Sequence, residues 1–402
     1  GCVACSGTHS SSDEHTEFNV QIQQSALSAS TFVVSHLSAI EPYFDIQSTT
    51  GISGSLNSLF SAFSQLSISP NDNQARQSVI SAAQGLARAF NAADSGLSDA
   101  TTATDNDVQN TVADINALVA DIQAINLERR KNAGTTTDAG LDARLYNDLE
   151  TLSQYTDFTT VPSQDGTISV FLGGQTPLVV GTTQYTVQAN VSGGQIQIFD
   201  SSGNDITSRV SGGQLGGLIQ VGNTLLPGYR AQLNQLAQGI ADTINTQLNS
   251  GVDQGTPPAA GANLFTYNPT AAAKTLSVTN ITPDQIAAAS SASPGGNDNA
   301  IALSSLQNAT VPTLGNFTLT QFYGNLASTV GRDLSNAQND QTTQQQLLAQ
   351  AQSLRADASA VSLNEEAARL VDLQNAYEAT SKLISIINEM TQVLLGILPT
   401  GY

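Results

Sequence analysis

The residues with the most obvious chemistry stand at the start of the chain. "CVAC" places Cys2 and Cys5 three positions apart, and His9 and His15 follow. Two thiolates at that spacing with nearby imidazoles suit a tetrahedral zinc ion. Covalent haem would need a histidine directly after Cys5, and Ser6 stands there. A single C-x-x-C at a chain end also fits an unliganded terminus or a local disulfide, and no tightly bound metal is expected. Elsewhere the catalytic patterns are incomplete. His36 lies in "FVVSHLSAI", an apolar helical face, and reads as a structural histidine rather than a general base. "DEHTEF" does not match H-E-x-x-H. "GGQLGG" (212–217) lacks the Lys and Ser/Thr of a phosphate loop, so its glycines read as tight turns leading into a helix. "GNDNA" has no bidentate Glu at calcium-loop distance. Asp13, Glu14 and Glu17 read as a solvated helix start, and "ERRK" (128–131) as a basic helix C-terminus that suits the dipole. Neither catalytic residues nor a cofactor are expected.

Composition narrows the partners. The chain has 402 residues, with 13 Lys and Arg against 33 Asp and Glu, for a net charge of −20. Such a surface repels phosphate backbones, so no nucleic-acid partner is expected. Only 11% of residues are charged, and solubility must come from Ser, Thr, Asn and Gln. No apolar run is long enough to span a bilayer, so no membrane partner is expected. Residues 1–17 lack the basic segment and apolar core of a signal peptide. The chain opens on Gly1, which suggests processing or a start inside a longer reading frame.

The elements that must carry any function are mostly helical. Residues 18–41 have helical spacing through Leu27, Val34, Leu37 and Ile40, up to "EPYF". A short amphipathic helix follows at 55–68. The next, capped by Asn71 or Asp72, runs to about Arg130, with its best stripe from Val108 to Ile125. Residues 141–153 add another helix. From Phe158 the period changes to short β-prone runs, with "VSGGQIQIF" reading as a hairpin with a Gly-Gly turn. Helix returns at Pro227, with a stripe from Leu233 to Leu248, and again from Leu319 through Leu334, Leu347 and Leu354. The expected organisation is a flexible segment (1–17), a first helical rod part (18–156), a small β subdomain (157–224) and a rod helix (225–250). A loop-rich variable region (251–318), a last rod helix (319–360) and a C-terminal core-layer assembly helix (361–402) follow. The fold class is mainly α with a small inserted β subdomain (α+β), built as an elongated helical-bundle rod. Helices 18–41, 73–130 and 319–360 are expected to pack side by side.

The terminal helix carries the functional expectation. Leu363, Leu370, Tyr377, Ile384 and Leu398 recur every seven residues, interrupted at Thr391, and Leu373, Ile387 and Leu394 lie three residues further on. A second seam runs through Leu383, Ile386, Met390, Val393 and Ile397. One seam packs on one partner, so two seams need partners on two sides. Burying about ten such side chains contributes on the order of 15–30 kcal/mol before entropy costs.

Several stretches together resemble a known family. "VSLNEEAARLVDLQNAYEATSKLISIINEMTQVLLGIL" is similar to the C-terminal signature of bacterial flagellar axial proteins. "GISGSLNSLFSAFSQLSISPNDNQARQSVI", "DINALVADIQAIN" and "SGGQLGGLIQVGNTLLPGYRAQLNQLAQGIADTINTQLNSGVDQGT" narrow it to the flagellar hook-associated FlgK family, the hook–filament junction proteins. Flagellins and hook proteins share the C-terminal pattern but match the middle less well. The resemblance implies a structural, non-catalytic protein of the flagellin/hook-associated type. It implies a location in the extracellular flagellum, reached by type III export without a cleaved signal peptide. The partners it implies are other copies of the chain, neighbouring hook and junction proteins, and an export chaperone at the C-terminal helix. Two departures stand out. The family's Asn-rich first core helix is not in this sequence, and "GCVAC" replaces an apolar entry. Other classes remain open: another flagellar axial protein such as flagellin, a secreted acidic adhesin-like rod binding through 157–318, and a metal enzyme using Cys2, Cys5, His9 and His15. Elemental analysis separates the last. No stoichiometric zinc is expected, and one zinc per chain that is lost in a Cys5→Ser variant would overturn that expectation.

Overall fold

The computed structural model describes residues 11–131 and 138–397. Its helices are α1 (Ser11–Ile40), α2 (Ile52–Ile68), α3 (Asn73–Lys131), α4 (Ala139–Tyr155), α5 (Gly213–Gln220), α6 (Leu226–Asn249), α7 (Ala272–Thr275), α8 (Asp298–Ser305) and α9 (Leu319–Ile397). Strands β1 (Phe158–Pro162), β2 (Ile168–Leu172), β3 (Thr176–Val180) and β4 (Thr183–Gln184) form an antiparallel sheet in that order. Strands β5 (Gln188–Asn190) and β6 (Gln197–Phe199) form a hairpin. The fold is α-dominant α+β, as the sequence implies. The chain divides into two compact units, residues 24–344 and residues 1–23 with 345–402.

In the larger unit α3 supplies apolar surface to two cores. Its start is fixed by Asp72, whose Oδ1 accepts the Gln74 N–H at 2.9 Å. Ala75, Val79, Ala83, Leu86, Phe90, Ala93 and Leu97 then repeat every three or four residues, one face of a helix. That face packs on α2 and α6, and it shares one core with Leu56, Leu59, Phe60 and Phe63 of α2, Leu236 and Ile240 of α6, and Leu326 and Val330 of α9. The stripe continues through Val108, Val112, Ile115, Val119, Ile122 and Ile125, but its partners change. They are Leu145, Leu149 and Leu152 of α4, and Val170, Leu172, Leu178 and Val179 of the sheet. The second half of α3 thus packs on α4 and the sheet as well as belonging to the helical rod part. A small sheet with one apolar face must cover that face, and the second half of α3 is the cover.

Side-chain amides fasten the irregular segments to these helices. Asn116 donates to the Val187 carbonyl at 2.8 Å and accepts the Val187 N–H at 2.9 Å. Asn126, fully buried, donates to the carbonyls of Ile168 and Gly181, both at 2.7 Å, and accepts the Ile168 N–H at 3.0 Å. Asn223 treats Ile196 in the same way, at 2.8 and 2.7 Å. Asn245 of α6 donates to the Phe265 carbonyl and accepts from Leu264 and Phe265. A primary amide carries a donor and an acceptor side by side, so it can pair with a backbone as a neighbouring strand would.

The Asn245 clasp is one of the contacts that order the region 251–318. This region was expected as loop-rich and variable. It holds α7, α8 and three two-residue strand pairs: β7 (Gly251–Val252) with β10 (Ala289–Ser290), β8 (Phe265–Thr266) with β9 (Ser277–Val278), and β11 (Thr310–Val311) with β12 (Phe317–Thr318). Leu264, Phe265, Leu276, Ile286, Leu303 and Leu314 from this region are buried in the first core. Arg76, 2% exposed, adds a staple. Its guanidinium donates to the carbonyls of Pro70 at 2.9 Å and Pro283 at 3.2 Å, and to that of Ile286. Burial holds its pKa below the usual arginine value, opposed by the nearby carboxylates of Asp284 and Asp253.

Other boundaries differ from the sequence reading. The hairpin has Gly193 and Gly194 at positive φ, but its loop runs over residues 191–196 rather than two residues. The segment 157–224, expected as β, turns helical before its end, at α5. Glycines at the start of α5 and within it meet a positive φ and a close approach. Gly213 has φ +66°, and a β-carbon at Gly217 would lie 2.4 Å from the Ala29 carbonyl oxygen of α1. The buried His36 of α1 meets two polar side chains of α3. His36 Nε2 lies 3.2 Å from Asp107 Oδ2, and Nδ1 lies 3.2 Å from Thr104 Oγ1.

The smaller unit contains the first part of α1 and the last part of α9. Helix α1 begins at Ser11, so residues 11–17 belong to it rather than to a flexible segment. Residues whose chemistry lies at 1–10 are outside the description. Glu17 pairs with Arg355 at 3.2 Å, and Val20, Leu348 and Ala351 are buried. Leu347 and Leu354, expected on the covered stripe of the rod helix, are 39% and 54% exposed. The buried positions 348 and 351 place the covered face on another side of the helix turn.

Two outcomes follow from this packing. Asn126→Ala removes three hydrogen bonds and strands two backbone carbonyls and the Ile168 N–H, which should cost about 2–4 kcal/mol in denaturant unfolding. A loss under about 0.5 kcal/mol would contradict the clasp. The second outcome concerns pH. Burial holds His36 below its ordinary pKa of 6.5, even though Asp107 acts in the other direction. Below pH 6.5 the unfolded chain therefore takes up a proton more readily than the folded chain, so stability falls as pH drops from 7 toward 5. Thermal melts should show this fall, and His36→Gln should flatten it in that window.

Candidate functional site

The candidate site is the C-terminal part of α9. The helix forms because residues 319–397 contain no proline and few glycines, and good helix formers fill the exposed positions. Its first part is an ordinary covered helix. Leu319, Tyr323, Leu326, Val330, Leu334 and Ala337 recur every three or four residues and are all buried in the larger unit. Further along, the periodic apolar pattern continues and the burial stops. Leu370, Leu373, Tyr377, Leu383, Ile384, Ile386, Ile387, Met390 and Val393 are between 53% and 76% exposed. Val371, not singled out from the sequence, joins them at 55%. A seven-residue pattern search misses it because it neighbours the Leu370 position without belonging to either seam.

Three hydroxyls on this segment are satisfied within the helix itself. Thr380 donates to the Ala376 carbonyl, Ser385 to that of Ser381 at 3.2 Å, and Thr391 to that of Ile387 at 2.7 Å. Each hydroxyl is satisfied within its own helix, so covering these faces strands none of these donors. Glu378 and Lys382 stand four apart in the orientation that supports a helix. Thr391 interrupts the first seam, and its hydroxyl is turned to the helix backbone.

The remaining sequence candidates fall as follows. The side chains of Leu394 and Ile397, and all of Leu398, lie outside the described residues, as do Cys2, Cys5 and His9. His15 is exposed. Among the described residues no group of three or more His, Cys, Asp and Glu is placed to hold a metal ion. No described helix is long and apolar enough to cross a membrane. His36 faces Thr104 and Asp107 in a buried contact.

Comparison with known proteins points to one family. Residues 37–265 match the model described as the flagellar hook-associated protein FlgK helical domain. Residues 355–397 match the flagellar basal body rod FlgEFG protein C-terminal model, which covers the exposed segment of α9. Flagellar hook-associated protein 1 of Salmonella typhimurium is 28% identical over 216 residues, 51% of this chain. The match spans 39% of that relative's length. The protein of the same name from Bacillus subtilis is 22% identical over 408 residues, covering 91% of this chain and 80% of that protein. The flagellar hook junction protein FlgK from Burkholderia pseudomallei has a similar fold, with a TM-score of 0.76 at 17% identity over 84% of this chain and 99% of that one. With more than half of its length matched by the family's helical-domain model, the chain belongs to the FlgK family of flagellar hook-associated proteins.

Proposed function

We propose that the chain is a structural subunit of the hook–filament junction, held among its neighbours by the two apolar seams of α9. The observation that carries this reading is the set of ten large apolar side chains from Leu370 to Val393, each more than half exposed, on a segment matched by a flagellar axial C-terminal model. A contiguous apolar surface of that size marks an interaction site. Covering ten such side chains is worth on the order of 15–30 kcal/mol before the entropy of ordering. The partners in this reading are other copies of the chain and adjoining hook and junction proteins in the extracellular flagellum. Export without a cleaved signal peptide fits the same reading. An export chaperone at Leu383–Val393 would mask the seams until assembly.

The test pairs association with folding. Leu383→Asp and Ile387→Asp place carboxylates one turn apart on the exposed face. Light scattering should show that self-association is lost. The melting curve of the larger unit should change by less than about 0.5 kcal/mol, the usual limit for an exposed substitution. Variants that associate like the parent, or that unfold the larger unit, would show that this segment belongs to the chain's own core.

A further inference from the structure

The larger unit carries a second unpartnered feature, away from α9's exposed seams. A cleft of about 390 Å³ opens between residues 41–46 and the covered part of α9. Phe44, Ile46 and Val330 give it apolar walls, and the carboxylates of Glu41 and Asp45 also line it. Asp45 Oδ1 accepts the Gln47 N–H at 2.8 Å, which shapes the turn without neutralising the charge. Neither carboxylate meets a cation among the described residues. Tyr323, 1% exposed, has a hydroxyl with no hydrogen-bond partner among the described residues, and the charge of Asp45 acts on it. Apolar walls with unpaired carboxylates suit a side chain with an aliphatic stem and a cationic head.

The sequence offers few cations to fill it. Of 13 basic residues, the only adjacent ones are Arg129, Arg130 and Lys131, at the C-terminal end of α3. Arg129 is engaged by Asp142. Arg130 is exposed and among the described residues reaches the Thr182 hydroxyl alone, at 3.3 Å, with Asp165 in its field. Lys131 is exposed. The basic end and the cleft cannot meet within one chain. The ring of Tyr43 packs against α3 at Gly96, which fixes the cleft's side of the bundle. From Gly96 to Lys131 the same helix runs about 50 Å at 1.5 Å per residue.

We propose that Arg130 and Lys131 of one copy dock at the Glu41–Asp45 cleft of a second copy. Two different patches on each molecule make a heterologous contact, which repeats from copy to copy and closes into a ring or continues as a helix. The contact adds register and direction to the association, because charge complementarity selects which surfaces meet. This inference rests on the reading of the chain as an assembling subunit and deepens it.

A zero-length carbodiimide cross-link tests it on the full chain. The reagent joins an amine to a carboxylate only when the two are in contact. Mass spectrometry of the dimer should identify Lys131 joined to Glu41 or Asp45, a link that one chain cannot make with itself. The link should be lost in Lys131→Gln and should fade as ionic strength rises, since exposed pairs are screened. Arg130→Glu with Lys131→Glu should remove it, as should Glu41→Lys with Asp45→Lys. Mixing the two charge-reversed proteins should restore cleft-to-end contact, seen as recovery of association in sedimentation, with each variant melting like the parent. Absence of the Lys131 link, or no recovery on mixing folded variants, would overturn the docking. If association persists in both charge-reversed proteins but disappears in Ile387→Asp, the α9 reading stands and this inference fails.

Discussion

The burial of the α3 stripe is the constraint on which the larger unit depends. A helix of 59 residues presents an apolar face far longer than either α2 (17 residues) or α6 (24 residues) can cover alone. Most of the stability of such a helix comes from packing that face, since intrinsic propensity contributes little. The chain covers it in two stages. Helices α2 and α6 pack on Ala75–Leu97 in a core that the first part of α9 shares, and α4 with the β block covers Val108–Ile125. The sheet is thereby held on a rigid support, and the loops between strands inherit their positions from it.

The amide clasps follow from composition. With 11% charged residues, the chain has few ion pairs available to fix its irregular segments. Asn116, Asn126, Asn223 and Asn245 supply paired donors and acceptors at neutral charge, so they can be buried without the desolvation penalty of an ion. The same economy appears on α9, where Ser and Thr hydroxyls bond to their own helix and leave apolar faces unencumbered.

Much of this was legible in the sequence, and the failures have physical causes. The stripes of α2, α3 and α6 and the change of period at Phe158 were readable because each buries one face on a fixed period. The switch of partner at Val108 was not, since periodicity reports that a face is buried but not against what. The region 251–318 read as loop because its order comes from long-range contacts, such as Arg76 to Pro283 and Asn245 to Phe265. Asn116 and Gln123 stand seven apart at the edge of the α3 stripe, and Asn126 follows three residues later, a spacing that marks polar residues aimed at a covered surface. The two seams of the terminal helix were visible, because an apolar periodic pattern beyond what one neighbour can cover stands out in sequence. The cleft of Glu41 and Asp45 was not, since its walls come from segments almost 300 residues apart.

The central claim is that α9 has one covered part and one part whose partner arrives only on assembly. Amide hydrogen exchange along that single helix tests this most directly. In the monomer, amides of 319–337 should exchange slowly, near the rate of global unfolding, while those of 370–393 exchange orders of magnitude faster because no tertiary contact holds them. On assembly the second group should become protected and the first should hardly change. Equal, strong protection of both segments in the monomer would contradict the account.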